Sequence, residues 1–374
     1  MTAKITDLDA KELLSKLENK VLWEIERLDG GIPYIPTNGS YHDKGAEEIS
    51  WWTNGFWGGL LWNLYKATNN PKFKEAAEIS ETRLDQAFVE FNDLHHDVGF
   101  LWHLTAVANY KITNNEVSKT RGLHAASILA GRFNINGNFL RCWNEDLSGW
   151  VIIDSLMNLP LLYWASEVTD DPRFKTIAIK HVETVLKDMI RPDGSSCHIA
   201  VFDPTSGEFI REEGGQGYSP ESSWTRGQSW ALYGLTLTYG YTKDQSYLEH
   251  AKRVANYFVS NVQNHGFIPP VDFRGESSDL RKDTSSGLCA ANGLLELAKH
   301  VDKADAKVYY DTAVAIIAKT TEQFADFDLK NDGVIGGGTV AYHREIENEV
   351  PIVYSDFFYS EALLRLNDFD FNIW

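Results

Sequence analysis

The chain has 374 residues, 43% hydrophobic and 13% aromatic with 12 tryptophans, enough to bury a sizeable core and still leave rings for a cleft that takes a ring-shaped ligand. Lysine and arginine number 35 against 53 acids, a formal charge of −18, and there is no run of five like charges, which argues against nucleic acid as a partner. Cys142, Cys197 and Cys289 are widely spaced without a CxxC pair, which suits buried, reduced thiols better than a disulfide framework or a zinc site.

The N-terminal MTAKITDLDAKELL is polar and amphipathic, and no later stretch reaches 18 uncharged apolar residues. No membrane association is expected, and the chain reads as a cytoplasmic protein. Residues 8 to 28 carry apolar positions at spacings of 3 and 4 with charges between them, the pattern of an amphipathic surface helix. After the Gly- and Pro-rich loop GGIPYIPTNGSYHDKG, the run WWTNGFWGGLLWNLY from Trp51 is apolar nearly all round, as a buried helix is.

This unit of amphipathic helix, loop and buried helix returns. TNNPKF at Thr68, TNNEV at Thr113, TDDPRF at Thr169 and TKDQSY at Thr242 each precede a charged amphipathic run, with Asn or Asp as N-cap and, in two of them, Pro at the first helical position. Buried partners are expected to begin near Trp51, Asp97, Asp154, Trp224, Asp283 and Asp356. Six hairpins with apolar inner helices need cover on both sides, which favours a closed ring over an open solenoid. The fold predicted is all-α, an (α/α)6 barrel in which residues 1–374 form a single domain. The best candidate for a short strand is CHIAVF, 197 to 202.

The inner-helix starts share a composition, a polar or charged group followed by aromatic and apolar filling: WWTNGFW, HHDVGF, WVIIDSL, SSWTRGQSW, KDTSS and YSDFFY. If all lie at one end of the ring, their side chains converge. Asp97 and Asp154 are the acids most surrounded by apolar neighbours, and adjacent inner helices place them within reach of one sugar. A plain structural role, as N-cap or ion-pair partner, is the alternative for each. Asp154 resists it, because Val151, Ile152 and Ile153 precede it and no lysine or arginine occurs over the ten residues that follow. An unpaired buried carboxyl is costly unless protonated, and a protonated one can act as a general acid.

His95 and His96 lack an HExxH or a second histidine cluster, so hydrogen bonding is expected of them and no metal. Arg226 lies in an uncharged aromatic segment and either pairs with a structural carboxylate or clamps a ligand carboxylate. Trp52, Trp143 and Trp230 either pack in the core or stack on sugar faces. EEGGQGY at 212 to 218 lacks the GK[ST] of a phosphate loop, and DLKNDG from Asp328 has Lys330 at a ligand position and Thr339 where the bidentate Glu of a calcium loop should be, so no cofactor is expected.

Taken together, WTNGFWGGLLW, LHHDVGFLW, the IIDSLMNLPLLYWA block from Ile152, SSCHIAVFDP from Ser195, QGYSPESSWTRGQSWALYG from Gln216 and SEALLRL from Ser360 resemble the unsaturated glucuronyl hydrolases, glycoside hydrolase family 88, over roughly Trp51 to Leu366. The resemblance implies a six-hairpin (α/α) barrel and hydrolysis of lyase-generated oligosaccharides whose non-reducing end is a 4,5-unsaturated uronic acid. It implies Asp154 as general acid/base and Asp97 as a second essential carboxylate. Trp52, His96, Trp143, His198, Gln216, Arg226, Trp230 and Tyr342 fall on positions that line the sugar site, with Arg226 or His198 as candidates to hold the substrate carboxylate. The chain departs from the family in having Tyr354-Ser355-Asp356 where Trp-Gly-Asp is common, and it has no SxxxSxK pattern, a motif linked to sulfated disaccharides in some members. A sibling unsaturated rhamnogalacturonyl hydrolase, an inverting barrel glycosidase on saturated sugars and a catalytically silent sugar-binding protein are the alternatives.

Overall fold

A computed structural model describes residues 9–369 and 371–374; the expected helix start at residue 8 and the polar segment before it lie outside the described residues. Outer helices Ala10–Leu28, Pro71–Arg83, Glu116–Gly131, Pro172–Asp188, Gln245–Asn264 and Lys303–Phe324 alternate with inner ones. The inner set is Asn54–Thr68, a bent helix (Val98–Trp102, a π-helical turn His103–Val107, Ala108–Thr113), a broken one (Ser155–Asn158 and Pro160–Thr169), Thr225–Thr242, Thr284–Leu297 and Val353–Leu366.

Burial separates the two sets as their sequences require. Thr225–Thr242 buries every residue from Thr225 to Thr238, whereas Gln245–Asn264 buries one stripe, Tyr247, Leu248, Ala251, Val254, Ala255, Phe258, Val259 and Val262. Each large side chain in such a stripe contributes on the order of 1.5–3 kcal/mol. The last inner helix packs against the first, and Asn63 Nδ2 donates to Ser360 Oγ at 3.0 Å across that seam, so the ring is closed.

Four inner-to-outer turns are built alike. The hydroxyls of Thr68, Thr113, Thr169 and Thr242 donate to the carbonyls of Leu64, Asn109, Ala165 and Thr238, bonding back to the turn before the helix end. The next residue, Asn69, Asn114, Asp170 or Lys243, takes left-handed backbone with φ of 55°, 59°, 57° and 57°. Asn70, Asn115, Asp171 and Asp244 then cap the outer helix, their side chains accepting from backbone N–H two residues on.

Each inner helix begins within three residues of its expected start. Trp150–Ile152 is a strand (β3) and the helix begins only at Ser155: Val151 and Ile152 are β-branched and pair antiparallel with Ala200 and Ile199 of β4, Ile199–Phe202, the strand expected within 197 to 202. β4 pairs in turn with β5, Phe209–Glu213, while Phe133–Asn134 (β1) and Phe139–Leu140 (β2) form a separate hairpin. The last inner helix begins at Val353 rather than Asp356. Asp356 sits in its first turn and accepts from the backbone N–H of Val334 and Ile335. The neighbouring DLKNDG loop holds Lys20, whose ammonium donates to the carbonyls of Asp328 and Asn331.

The inner helices approach closely because glycines line their contacts. A Cβ on Gly55 would stand 2.0 Å from the carbonyl oxygen of Phe100, and one on Gly58 2.6 Å from Thr105 Cγ2, whereas one on Gly240 meets nothing within 4 Å. Gly55→Ala should therefore destabilise the fold by about 1–3 kcal/mol or more, because backbone must move. Gly240→Ala, in the last turn of an inner helix, should be neutral or stabilising by up to about 1 kcal/mol. Melting temperatures of the two variants against wild type test the pair, and equal shifts would contradict this account of the ring.

Candidate active site

The loops that precede the inner helices meet at one end of the ring around a cavity of about 350 Å³. Trp52 enters it from the first loop, Asp97 from the loop before Val98, Asp154 from the β3-to-helix turn, and His198 and Gln216 from the β4 side. Trp52 also packs on Phe100 and Tyr354, with ring centroids 5.8 and 5.3 Å apart, which ties the cavity wall to the barrel core.

Asp97 is buried and surrounded by nitrogen. Asn158 Nδ2 donates to its Oδ1 at 3.0 Å, His96 Nε2 lies 3.2 Å from the same oxygen, and His95 Nδ1 lies 3.5 Å from Oδ2. His96 Nδ1 is 3.0 Å from the Cys142 carbonyl, which can only accept, so the ring proton sits on Nδ1 and Nε2 carries a lone pair. Burial and the Arg132 charge push the His96 imidazolium down to about 3, which keeps the ring neutral. His96 Nε2 and Asp97 Oδ1 together form a pair of acceptors suited to a sugar hydroxyl. Burial raises the Asp97 carboxyl above its ordinary value, and the charge of His95 and the Asn158 amide partly offset that.

Asp154 is equally buried, but its Oδ1 has no hydrogen-bond partner. Burial first, and the Asp97 charge second, push its carboxyl up to about 8, against the opposing pull of Arg226. His198 faces it with Nε2 3.7 Å from Oδ1. The backbone N–H of Gln216 donates to His198 Nδ1 at 2.9 Å, so Nε2 carries the proton; the Gly214 carbonyl at 3.3 Å from the same Nδ1 is the weaker contact, since the amide is an obligate donor. Near neutral pH the cavity thus presents one protonated carboxyl and a second one that ionises more readily. Two such groups with separated pKa values are the equipment of acid–base chemistry.

Seven of the ten expected residues line the cavity: Asp97, Asp154, Trp52, His96, Trp143, His198 and Gln216. Arg226, Trp230 and Tyr342 lie behind its lining. Arg226 donates through Nη1 to Asp283 Oδ2 at 2.6 Å and to the Thr339 carbonyl at 2.8 Å, and through Nη2 to the Val340 carbonyl at 2.5 Å. Nη1 and Nη2 are thereby committed to an ion pair and to fixing the 339–340 loop, as a structural carboxylate partner implies, while Nε stays buried without a partner and Arg226 is not part of the cavity lining. Trp230 is fully buried against Phe100 and Phe358, which is core packing rather than sugar stacking. Tyr342 accepts the Glu276 N–H on its hydroxyl, and its own N–H donates to the Gln216 carbonyl at 2.9 Å, so it braces Gln216 from behind.

Tyr34, Trp51 and Arg344 also line the cavity and were not expected there. Tyr34 and Trp51 belong to the first loop and meet edge to face with centroids 5.5 Å apart; the aromatic pair in IPYIP and WW was the available signal. Arg344 lies at the rim, paired with Glu347, in a charged segment that gives no local hint of a cleft. Among the described residues, His95, His96 and Asp97 are the one group whose nitrogen and carboxylate donors, all within 4.8 Å of one another, have the chemistry to hold a metal ion. His96 keeps only Nε2 for such a role, since Nδ1 is bound to Cys142.

Comparison with known proteins fits this geometry. The sequence model of Glycosyl Hydrolase Family 88 matches residues 24–241. The chain is 34% identical to an unsaturated glucuronyl hydrolase of Bacillus sp. (strain GL1) over 84% of this chain and 86% of that protein. It is also 34% identical to an unsaturated chondroitin disaccharide hydrolase of Streptococcus pneumoniae (strain ATCC BAA-255 / R6), over 97% and 94%. The crystal structure of the unsaturated glucuronyl hydrolase from Bacillus sp. GL1, responsible for the degradation of glycosaminoglycan, superposes with a TM-score of 0.90 at 30% identity, covering 96% of this chain and 97% of that one. A closed six-hairpin ring, two buried acids at one end of it and these similarities point the same way: the chain belongs to glycosyl hydrolase family 88.

Proposed function

We propose that this protein is a glycosidase that releases the 4,5-unsaturated uronic acid from the non-reducing end of lyase-generated oligosaccharides of glycosaminoglycan type, by hydrating the C4=C5 enol ether. The observation that carries the reading is the pair Asp97 and Asp154 in one aromatic-walled cavity, the latter pushed up to about 8 by burial and by its partner. The enzyme works on a small oligosaccharide without a cofactor. Its three free, buried cysteines support a cytoplasmic location.

The chemistry follows from where protons sit. Asp154 delivers its proton to C4 of the enol ether, and oxocarbenium character develops at C5. Asp97, as the anion, stabilises that charge and orients the sugar through the acceptor pair it forms with His96 Nε2. Asp154, now a carboxylate, removes a proton from the water that adds to C5. The resulting hemiketal opens, releasing the reducing partner and a keto-uronic acid, and no displacement occurs at the anomeric carbon. Trp52 and Trp143 supply apolar faces for the ring, and Gln216, held by its Nε2 bond to the Val340 carbonyl at 2.7 Å, presents its side-chain oxygen beside it. With Arg226 committed to Asp283, His198 Nε2–H is the expected donor to the substrate carboxylate.

Loss of the enol-ether absorbance on an unsaturated glucuronyl disaccharide tests the reaction. An enzyme that spares that band but releases reducing sugar from saturated substrates, or bleaches only pectin-derived disaccharides, would contradict it. Asp154→Asn should abolish nearly all turnover, a loss of about 10²–10⁴-fold, while leaving binding largely intact. The same change should improve stability at alkaline pH. A carboxyl raised on folding stabilises the fold below its unfolded pKa and loses that contribution as pH rises through about 8, and an amide does not titrate. Denaturant melts of both proteins across that range give the comparison.

Turnover should follow a bell. Its alkaline limb reports the loss of the Asp154 proton as pH rises through about 8, and its acid limb the protonation of Asp97, whose carboxyl also lies above the ordinary range. Asp97→Asn should cut activity steeply and move the alkaline limb of what remains to lower pH, since the charge that helps raise Asp154 is gone. An unmoved limb would sever the electrostatic link between the two acids.

A further inference from the structure

We infer that His181, behind the cavity and out of reach of any bound sugar, is a positioning residue that ties the loop carrying Asp97 to the turn carrying Asp154. The inference rests on the reaction proposed above. His181 is fully buried on the inward face of the outer helix Pro172–Asp188, and nothing in the catalytic steps uses it.

Its hydrogen bonds run in one direction. The backbone N–H of Leu140 donates to Nδ1 at 3.0 Å, which fixes the proton on Nε2. Nε2 lies 2.7 Å from Ser155 Oγ and donates to it, and the Ser155 hydroxyl in turn donates to the Ile152 carbonyl at 2.6 Å. Ile152 ends β3 and Ser155 opens the inner helix, so this last bond closes the turn on which Asp154 rides. At the other end, Leu140 closes β2 and stands two residues before Cys142, whose carbonyl orients His96 and through it Asp97. One imidazole therefore joins both acid-bearing segments from behind.

Asp154 needs such support because its Oδ1 makes no hydrogen bond and faces His198 Nε2 at 3.7 Å, beyond bonding distance. Its aim is set by the backbone beneath it. A residue required only for bulk at position 181 has no reason to match a backbone donor on one nitrogen and a hydroxyl acceptor on the other. The ring does not act as an acid or base itself, since burial pushes it down to about 3 and it stays neutral.

The test uses Ser155→Ala and His181→Gln, singly and together, with kcat, KM, pH profile and thermal melt on an unsaturated glucuronyl disaccharide. Each single change should lower kcat by up to about 10²-fold, the scale of an ångström-level misplacement of a catalytic group, with KM little altered. The double variant should be scarcely worse than either single one, because both break the same chain. The titration of the Asp154 carboxyl in the free protein, followed by infrared difference spectra or carbon NMR, should fall below about 8 in each variant as water reaches a loosened turn. Unchanged kcat and carboxyl titration in well-folded Ser155→Ala, or losses in kcat that multiply in the double variant, would overturn the inference. A wild-type protein that bleaches no enol ether would sink the reaction, yet the carboxyl titration, which needs no substrate, would still decide on His181.

Discussion

The structure turns on the cost of keeping one carboxyl out of water with an oxygen, Asp154 Oδ1, that has no hydrogen-bond partner. An isolated ionised carboxylate in such a place is so unfavourable that the group shifts its pKa and neutralises instead. Asp154 does this, and it holds its proton only while the cavity stays shaped, aromatic and narrow. Asp97 sets the limit on the other side. The Asn158 amide donates to it and offsets part of the cost of burial, so that of two nearby acids one keeps its proton and the other gives it up more readily.

A closed ring of helices is a rigid way to meet that demand. All six inner helices begin at the cavity end, so their preceding loops converge there while the packing of glycine against backbone below fixes the spacing. The Thr–left-handed–Asx turns at the far end of four hairpins use local hydrogen bonds alone, which leaves the long connections at the cavity end to carry site residues. β3 and β4 are the exception to an otherwise helical plan. A strand can hand Asp154 into the cavity from a sharp turn, and pairing with β4 puts His198 beside it in the same step.

Much of this was legible because it is local. The TNN and TDD punctuation, the all-round apolar inner runs and the isolation of Asp154 among Val, Ile and Leu each express one segment's own physics. What stayed hidden depends on residues far apart in the chain. The two readings of Arg226 stayed open because its partner Asp283 lies 57 positions away, and those of Trp230 because nothing local shows Phe100 and Phe358 closing over it. The strand at 150–152, just ahead of the helix start expected near Asp154, stayed hidden for the same reason, since only β4 makes Val151 and Ile152 a strand. His103, which has no counterpart role in the sequence pattern, bonds through Nε2 to the Ile373 carbonyl at 3.1 Å and stacks on Trp374, so it anchors the chain's last described residues in the barrel.

The electrostatics of the cavity explain how a chain of net charge −18 accepts an anionic sugar. Inside the wall Arg226 is paired with Asp283, and at the rim Arg344 is paired with Glu347, so each arginine already has a carboxylate partner. The protonated state of Asp154 removes the repulsion that a second carboxylate would exert on a uronate. It also sets up the chemical step. In the reaction proposed above the acid and the alkene are both neutral before proton transfer; after it, a carboxylate and an oxocarbenium centre would face each other in a site where water screens little, so the charges created by that reaction would attract as they form. The same burial that makes the proton hard to lose to solvent makes it profitable to lose to C4, and the two requirements converge on a single side chain.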